Sequence, residues 1–441
     1  MEKKIFMKKN IIIIVVITII SLTGNSYSQN SVTGPLTLDK AIQLTLKNQP
    51  LIKQAEDEVN AAAAKVKEQK SFDYPDINAD LSYTRIGPIS TIAFGNELFR
   101  LYPGNNYDAH VSAQYNIFDF GMKKALVDLT KSYKMTAREK INYIKNNLSY
   151  TTVKLFYTVL FLERSLKVKE DQIKTLESHL EITTKKVQSG SATDFDILTT
   201  KVRVASAKNQ KIDIENSIKQ QKIALRSLLG LSSDSPLNLK GDLSLMQQSV
   251  NIDSLLSKAY TQREELKIAG DAKNSIELQK HAASLSDMPT LNAMASYGLK
   301  NGLMPDLDVL RGNWAVRISA NIPIFNGFRK DAKVEEAVAN LNANDSHILS
   351  LKRKIKTEVR QAVSELETSK SKLSTTKLQV EQAQQAVKRA ETSYENGVIT
   401  NLDLLDAETS LTEAEFLHLQ VVFQNIINTY SLREAVGDSA R

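Results

Sequence analysis

The chain has 441 residues, with no cysteine, 16 glycines, 9 prolines, 24% charged and 6% aromatic residues. Disulfides and thiolate metal centres are excluded, and the scarcity of Gly and Pro points to a mostly helical protein. The formal net charge of +7 is mild once the lysines near the N-terminus are set aside, and both signs interleave along the helical segments, which reads as solvated helix faces rather than a nucleic-acid patch.

In chain order, Lys3, Lys4, Lys8 and Lys9 precede an apolar run from Ile11 to Ile20, then small residues at Ser26 and Ser28. This is the layout of a secretory signal peptide over residues 1–28. An uncleaved anchor is the alternative, but the run is short for a span of about 20 residues. An exported chain with no other long apolar helix can cross a membrane only as strands.

After a polar lead-in at Ser31 to Pro35, the pattern predicts one helix from Leu38 to about Ser71, stopped by Pro75. Ile77, Ala79, Leu81 and Tyr83 then alternate with polar residues, as do Ala109, Val111, Ala113, Tyr115 and Ile117. That period of two predicts two strands, each with one apolar and one polar face. Gly87 to Tyr107 is expected to be the connecting loop.

The motif IFDFG (Ile117 to Gly121) opens a long helical pattern. Its apolar seam runs through Leu126, Leu129, Tyr133, Leu155, Val159, Ile173, Leu176, Leu180 and Val187, at coiled-coil spacing. Gly190, in VQSGSATDFDIL, is a helix stop followed directly by a helix start, so the segment reads as a helical hairpin ending at Gly230. Its first arm should span roughly 100 Å at ~1.5 Å per residue.

A second helix is expected from about Ile252 to Ser284, followed by strands around Leu291–Leu299 and Trp314–Ile322, with a loop at Asn301 to Gly312. Ile324 to Phe328 then echoes IFDFG, and a second hairpin turns at Gly397 in YENGVITNLDLL and ends at Gly437. Phe118 and Phe325, Gly190 and Gly397, Asp196 and Asp403, and Gly230 and Gly437 are all separated by one constant spacing, the mark of a duplication. The chain divides into a first repeat over 29–230, a linker over 231–250, a second repeat over 251–437 and a tail over 438–441. The first return arm is expected to stack on the helix from Ile252, and the C-terminal one on the helix from Leu38.

The strands also fit a small antiparallel sheet with one buried face. Their polar faces, with Asp80, His110, Gln114 and Arg317, instead suit a watery lumen, and Tyr83, Tyr115, Tyr297 and Trp314 lie on the apolar faces where an interfacial girdle needs them. Four strands cannot close a barrel. Three copies can close a twelve-stranded one without edges. The expected fold is therefore mainly α with a transmembrane β-barrel: duplicated coiled-coil hairpins plus four strands per chain, forming a trimeric barrel and α-helical tunnel.

The signal peptide, the duplication, the two strand-to-helix turns and the two tips together resemble the TolC-like outer-membrane efflux protein family over essentially the whole mature chain. The resemblance implies a passive exit duct in the outer membrane of a Gram-negative bacterium, with a periplasmic helical domain and no cofactor, metal or enzymatic activity. The implied partners are two further copies of the chain, outer-membrane lipid, a periplasmic adaptor (membrane fusion) protein and an inner-membrane pump of the RND, ABC or MFS type. The implied adaptor-docking tips contain Gly190, Thr193, Asp196, Gly397 and Thr400, and the implied periplasmic entrance contains Tyr394, Asp403 and Asp406. Some members carry at the position of Ile399 an Arg that links tip helices in the closed state, and this chain lacks it.

Asp403 and Asp406 share one helix face. Threefold symmetry would make each a ring of carboxylates, with raised pKa values and an attraction for cations. Thr400 with Asp403 also reads as a capping box, and both glycines as plain helix ends. The five scattered histidines form no ligand pair, and no nucleophile or phosphate motif is present. The competing reading is a periplasmic adaptor with a coiled-coil hairpin, which should carry one hairpin rather than two.

Overall fold

In the computed structural model, residues 34–244 and 251–438 are described. The proposed signal peptide and the end of the C-terminal tail lie outside them. The elements are α1 (Leu38–Asn48), α2 (Pro50–Ser71), β1 (Asp76–Arg85), β2 (Thr91–Phe94), β3 (Glu97–Arg100), β4 (Asn105–Phe118), α3 (Met122–Gln188), α4 (Asp194–Leu229), α5 (Ile252–Gln262), α6 (Glu264–Ser284), β5 (Thr290–Lys300), β6 (Arg311–Asn321), α7 (Arg329–Glu395) and α8 (Asn401–Ala435). The outgoing arms α3 and α7 have 67 residues each, and the return arms α4 and α8 have 36 and 35.

The chain forms two compact units. Among the described residues, the first comprises 34–48, 152–243 and 382–419; the second comprises 49–151, 244, 251–381 and 420–438.

Within the first unit, the lead-in pairs with the linker: Leu36 donates to Asn238 O at 2.8 Å and accepts from Lys240 N at 2.9 Å. Leu36, Ile42, Val153, Phe156, Leu225 and Leu229 are buried there, and Thr45 bonds Thr152 at 2.9 Å in the same core. A second cluster joins Ile173 and Leu176 of α3, Val204 and Ala207 of α4, and Leu405 of α8.

Several helix expectations need correction. Neither short helix is continuous. Pro50 has no N–H and starts α2, leaving Gln49 extended at φ −71, ψ 121; Arg263, at φ −60, ψ 123, separates α5 from α6 without any proline. Each return arm also ends on the break of its own repeat rather than the other's. Asn48 Nδ2 donates to Leu229 O at 2.9 Å, and Arg263 Nη1 donates to Ala435 O at 3.2 Å, so each supplies a donor to a carbonyl that a helix C-terminus leaves open. Along the seam, Tyr133 is exposed, whereas the polar residues Ser165, Lys169, His179 and Thr183 are buried on the inward side of α3.

Within the second unit, Leu256, Ala259, Ile355, Val359, Leu366, Leu432 and Val436 form the core. Arg263, 10% exposed, is held by Glu265 at 2.6 Å and Glu358 at 2.9 Å. The same unit carries an antiparallel sheet in the order β1-β4-β5-β6. Its register lines the apolar residues up in rows across all four strands: Ala79–Val111–Tyr297–Trp314 and Ile77–Ala113–Ala295–Val316. Leu81, Trp314, Val316 and Ile318 are exposed, so this apolar face is uncovered among the described residues. The opposite face carries the row Asp80–His110–Gly298–Asn313. A Cβ on Gly298 would lie 2.4 Å from that of His110 and 2.3 Å from Ala109 O, so only glycine fits there.

The strand-to-helix turns IFDFG and IFNGF each place two consecutive residues in the left-handed region: Phe120 (φ 55) with Gly121 (φ 92), and Gly327 (φ 64) with Phe328 (φ 59). The repeats thus build the same turn with Phe and Gly exchanged. The long connection after β1, expected to be a plain loop, contains the hairpin β2–β3, and Arg100 ties it to the β5–β6 connection through Asp308 at 2.8 Å.

Candidate functional site

The two tips close their helices in the same way. Gly190 (φ 76) and Gly397 (φ 74) take the left-handed conformation that ends a helix at little steric cost. Beyond them, Ser191 N bonds Lys186 O at 2.7 Å and Val398 N bonds Ser393 O at 2.8 Å, the longer closure of a Schellman end. The return helices then start on reciprocal caps. Thr193 N donates to Asp196 Oδ2 at 2.9 Å while Asp196 N donates to Thr193 Oγ1 at 3.3 Å. Thr400 N donates to Asp403 Oδ2 at 2.8 Å while Asp403 N donates to Thr400 Oγ1 at 3.2 Å. Gly190, Thr193, Asp196, Gly397, Thr400 and Asp403 are thus all engaged in turn and cap chemistry.

Within one chain, the side-chain and backbone hydrogen bonds from Thr400 hold the Asp403 carboxyl below its ordinary range. Those bonds stabilise the charged form and leave it serving the cap. Asp406 lies outside the cap and faces Arg203 of α4, 3.3 Å away, with both side chains partly exposed.

Tyr394 is 5% exposed, inside a polar network that joins the tips. His179 Nε2 lies 2.6 Å from Asn401 Oδ1, so a neutral imidazole carrying its proton on Nε2 donates there. Asn401 Nδ2 donates onward to Thr200 Oγ1 at 3.4 Å. Thr183 Oγ1 lies 3.3 Å from the Tyr394 hydroxyl, whose ring is 5.2 Å from that of His179. Lys186 Nζ lies 4.3 Å from the centre of the Tyr394 ring and donates to Tyr394 O at 2.6 Å. Burial lowers the His179 pKa, opposed by its bond to Asn401 and the charge of Asp196.

Sequence reasoning missed His179, Thr183, Lys186 and Asn401. The available signal was positional: His179 and Thr183 follow Leu176 at steps of three and four, on the buried side of α3. Among the described residues, no cluster of His, Asp or Glu is arranged to hold a metal ion.

Duplicated hairpins, capped tips and an amphipathic four-stranded sheet with an uncovered apolar face together define a channel of the outer membrane. The chain belongs to the outer membrane efflux protein family, which it matches over residues 41–231 and 255–438. It is 21% identical to the outer membrane protein TolC of Salmonella enteritidis over 413 residues, covering 90% of this chain and 80% of the relative. To TolC of Escherichia coli K12 it is 22% identical over 418 residues, with the same coverage. The fold is similar to the crystal structure of the outer membrane protein VceC from Vibrio cholerae, with a TM-score of 0.77 at 20% identity, covering 92% of this chain and 97% of that one. This protein is accordingly an outer-membrane channel of the efflux and secretion class, with strands for the outer membrane and helices for the periplasm. The adaptor reading is set aside, and the family is one of channels rather than enzymes.

Proposed function

We propose that three copies of the chain assemble into the exit duct of a tripartite efflux or type I secretion system, conducting passively what an inner-membrane pump and a periplasmic adaptor deliver. The observation that carries this reading is the sheet. Its apolar rows run without interruption to β1 and β6, and among the described residues each of those strands pairs on one side only. Unpaired strand edges in lipid cost several kcal/mol per group, and three sheets joined edge to edge remove them. The two repeats (29–230 and 251–437), joined by the linker at 231–250 and freed of a leader at 1–28, would each give one hairpin to the helical wall.

The tips around Gly190, Thr193, Asp196, Gly397 and Thr400 are the proposed adaptor contact. The entrance is proposed at Asp406, with Tyr394 and its network holding the tip helices together at rest. Lys186 supplies a cationic link between the tips in a chain that has Ile399 where some relatives have an arginine. The pump is proposed to be of the RND, ABC or MFS type. The test is cross-linking between cysteines placed on β1 and β6 in the native membrane. A ladder ending at three chains supports the trimer, and absence of inter-chain product between these edges refutes the barrel closure.

A further inference from the structure

Away from the tips, one acidic side chain is buried without compensation. Glu408 of α8 is 6% exposed, and its Oε2 has no hydrogen-bond partner among the described residues. It lies on the inward line of α8 through Asn401, Leu404, Leu405 and Thr412, all buried. One turn earlier, Leu405 packs against α3 and α4. The charge that acts on Glu408 is a like one, Glu391 of α7. Lys388 and Arg389 of α7 are exposed and do not act on it.

Four cations of α3 and α4 are engaged elsewhere. Lys169 of α3 donates to Gln172 and Gln210, and Lys186 of α3 to Tyr394 O. Arg203 and Lys208 of α4 pair with Asp406 and Glu177. Glu415, two turns along α8, is itself shifted upward by burial and then by Asp171. A carboxylate at position 408 therefore has neither a counter-charge nor a donor at Oε2, and burying such a charge is costly, whereas the neutral acid fits.

We propose that Glu408 is a reversible proton-binding site in the periplasmic helical wall: protonated, it lets α8 pack tightly, and ionised, it loosens that packing. Burial, then the charge of Glu391, pushes its carboxyl up from 4.5 to about 7. Because the folded value is raised, the stability it contributes is complete below about 4.5 and falls as pH rises, levelling above about 7. The helices around Glu408 are thus tightest in an acidic periplasm.

The test is hydrogen–deuterium exchange of the purified full-length protein in detergent, followed in peptides covering residues 401–415 across about pH 5 to 8.5 and corrected for intrinsic exchange. In the parent protein, protection should fall by up to about tenfold per pH unit below the midpoint, the change carried by one proton, and then level off. Glu408→Gln and Glu408→Leu should both abolish that dependence, and Glu391→Gln should bring the levelling-off to lower pH. If the parent and Glu408→Gln proteins show the same pH profile, the proposal is overturned. If Glu408→Gln fails to fold, the Glu391→Gln profile decides: an unchanged levelling point counts against the site. The measurement reads one helix and does not depend on how many copies assemble.

Discussion

Lys186 of α3 lies over the ring of Tyr394 and donates to that residue's backbone carbonyl at 2.6 Å, so one ammonium group ties the end of α7 to the first hairpin. It meets a helix C-terminus, where open carbonyls and the helix dipole both favour a cation. Lys186→Met should remove about 0.5–2 kcal/mol of cation–π attraction as well as the carbonyl bond. In a planar bilayer the variant should show a larger resting conductance than the parent, and Lys186→Arg should restore most of the difference. Equal conductance in all three proteins would leave Lys186 as surface decoration.

The second expected outcome concerns pH at the tips. The folded state favours neutral His179, whose pKa burial lowers from 6.5. Its contribution is therefore present above about 6.5 and lost as pH falls through the lower folded value. This slope is opposite to that of Glu408. Melting temperature measured against pH should fall on acidification in the parent protein and fall less in His179→Gln, with the two curves drawing together as pH falls.

Charge on the barrel wall gives a third. Val316 is on the exposed apolar face, and Ser319 is on the opposite face of the same strand. Val316→Lys should cost about 2–4 kcal/mol per protomer near mid-membrane and lower the yield of assembled protein, whereas Ser319→Lys should be tolerated. Equal losses on a seminative gel would reverse the assignment of the two faces.

The tip aspartates separate into two roles. Asp403→Asn replaces the charged acceptor of the Thr400 cap with a weaker, neutral amide oxygen, so thermal stability should fall while ion selectivity changes little. Asp406→Asn removes a charge held only by a partly exposed Arg203, so cation selectivity and block by multivalent cations should weaken. Single-channel recordings of the two variants distinguish them. The same result from both would mean that the cap assignment does not sort the pair.

Much of this architecture is legible in the chain because it rests on strong periodicities. The alternation at Ile77–Tyr83 and Leu291–Leu299 marks strands, and the seam around Ile173 and Leu176 marks a helix that neither Pro nor Gly interrupts. The break at Arg263 is not legible, since no proline announces it; it is a salt-bridged arginine in extended conformation, paired with Glu265 two residues on and with Glu358 from far along the chain. Pro50 could have announced the other break, but the apolar periodicity continues across it. The tip network is hidden for a different reason. A search for apolar seam positions passes over His179 and Thr183, which are buried only because Asn401 and Tyr394 from the second repeat satisfy them. The hairpin β2–β3 is missed because each strand has only 4 residues, too few for alternation to register.

The close approach of Gly298 to the backbone at Ala109 and His110 also constrains how this sequence can change. A Cβ at 298 would meet Ala109 O at 2.3 Å, His110 Cβ at 2.4 Å and His110 Cα at 2.5 Å, so the obstacle is chiefly the backbone of β4 and no change of side chain at 110 removes it. The ring at 110, which pairs with Asp108 and faces Asp80, carries no such constraint. On the polar wall of the barrel the two neighbours are therefore unequal: a lineage can exchange the histidine, whereas the glycine stays for as long as β4 and β5 keep this register.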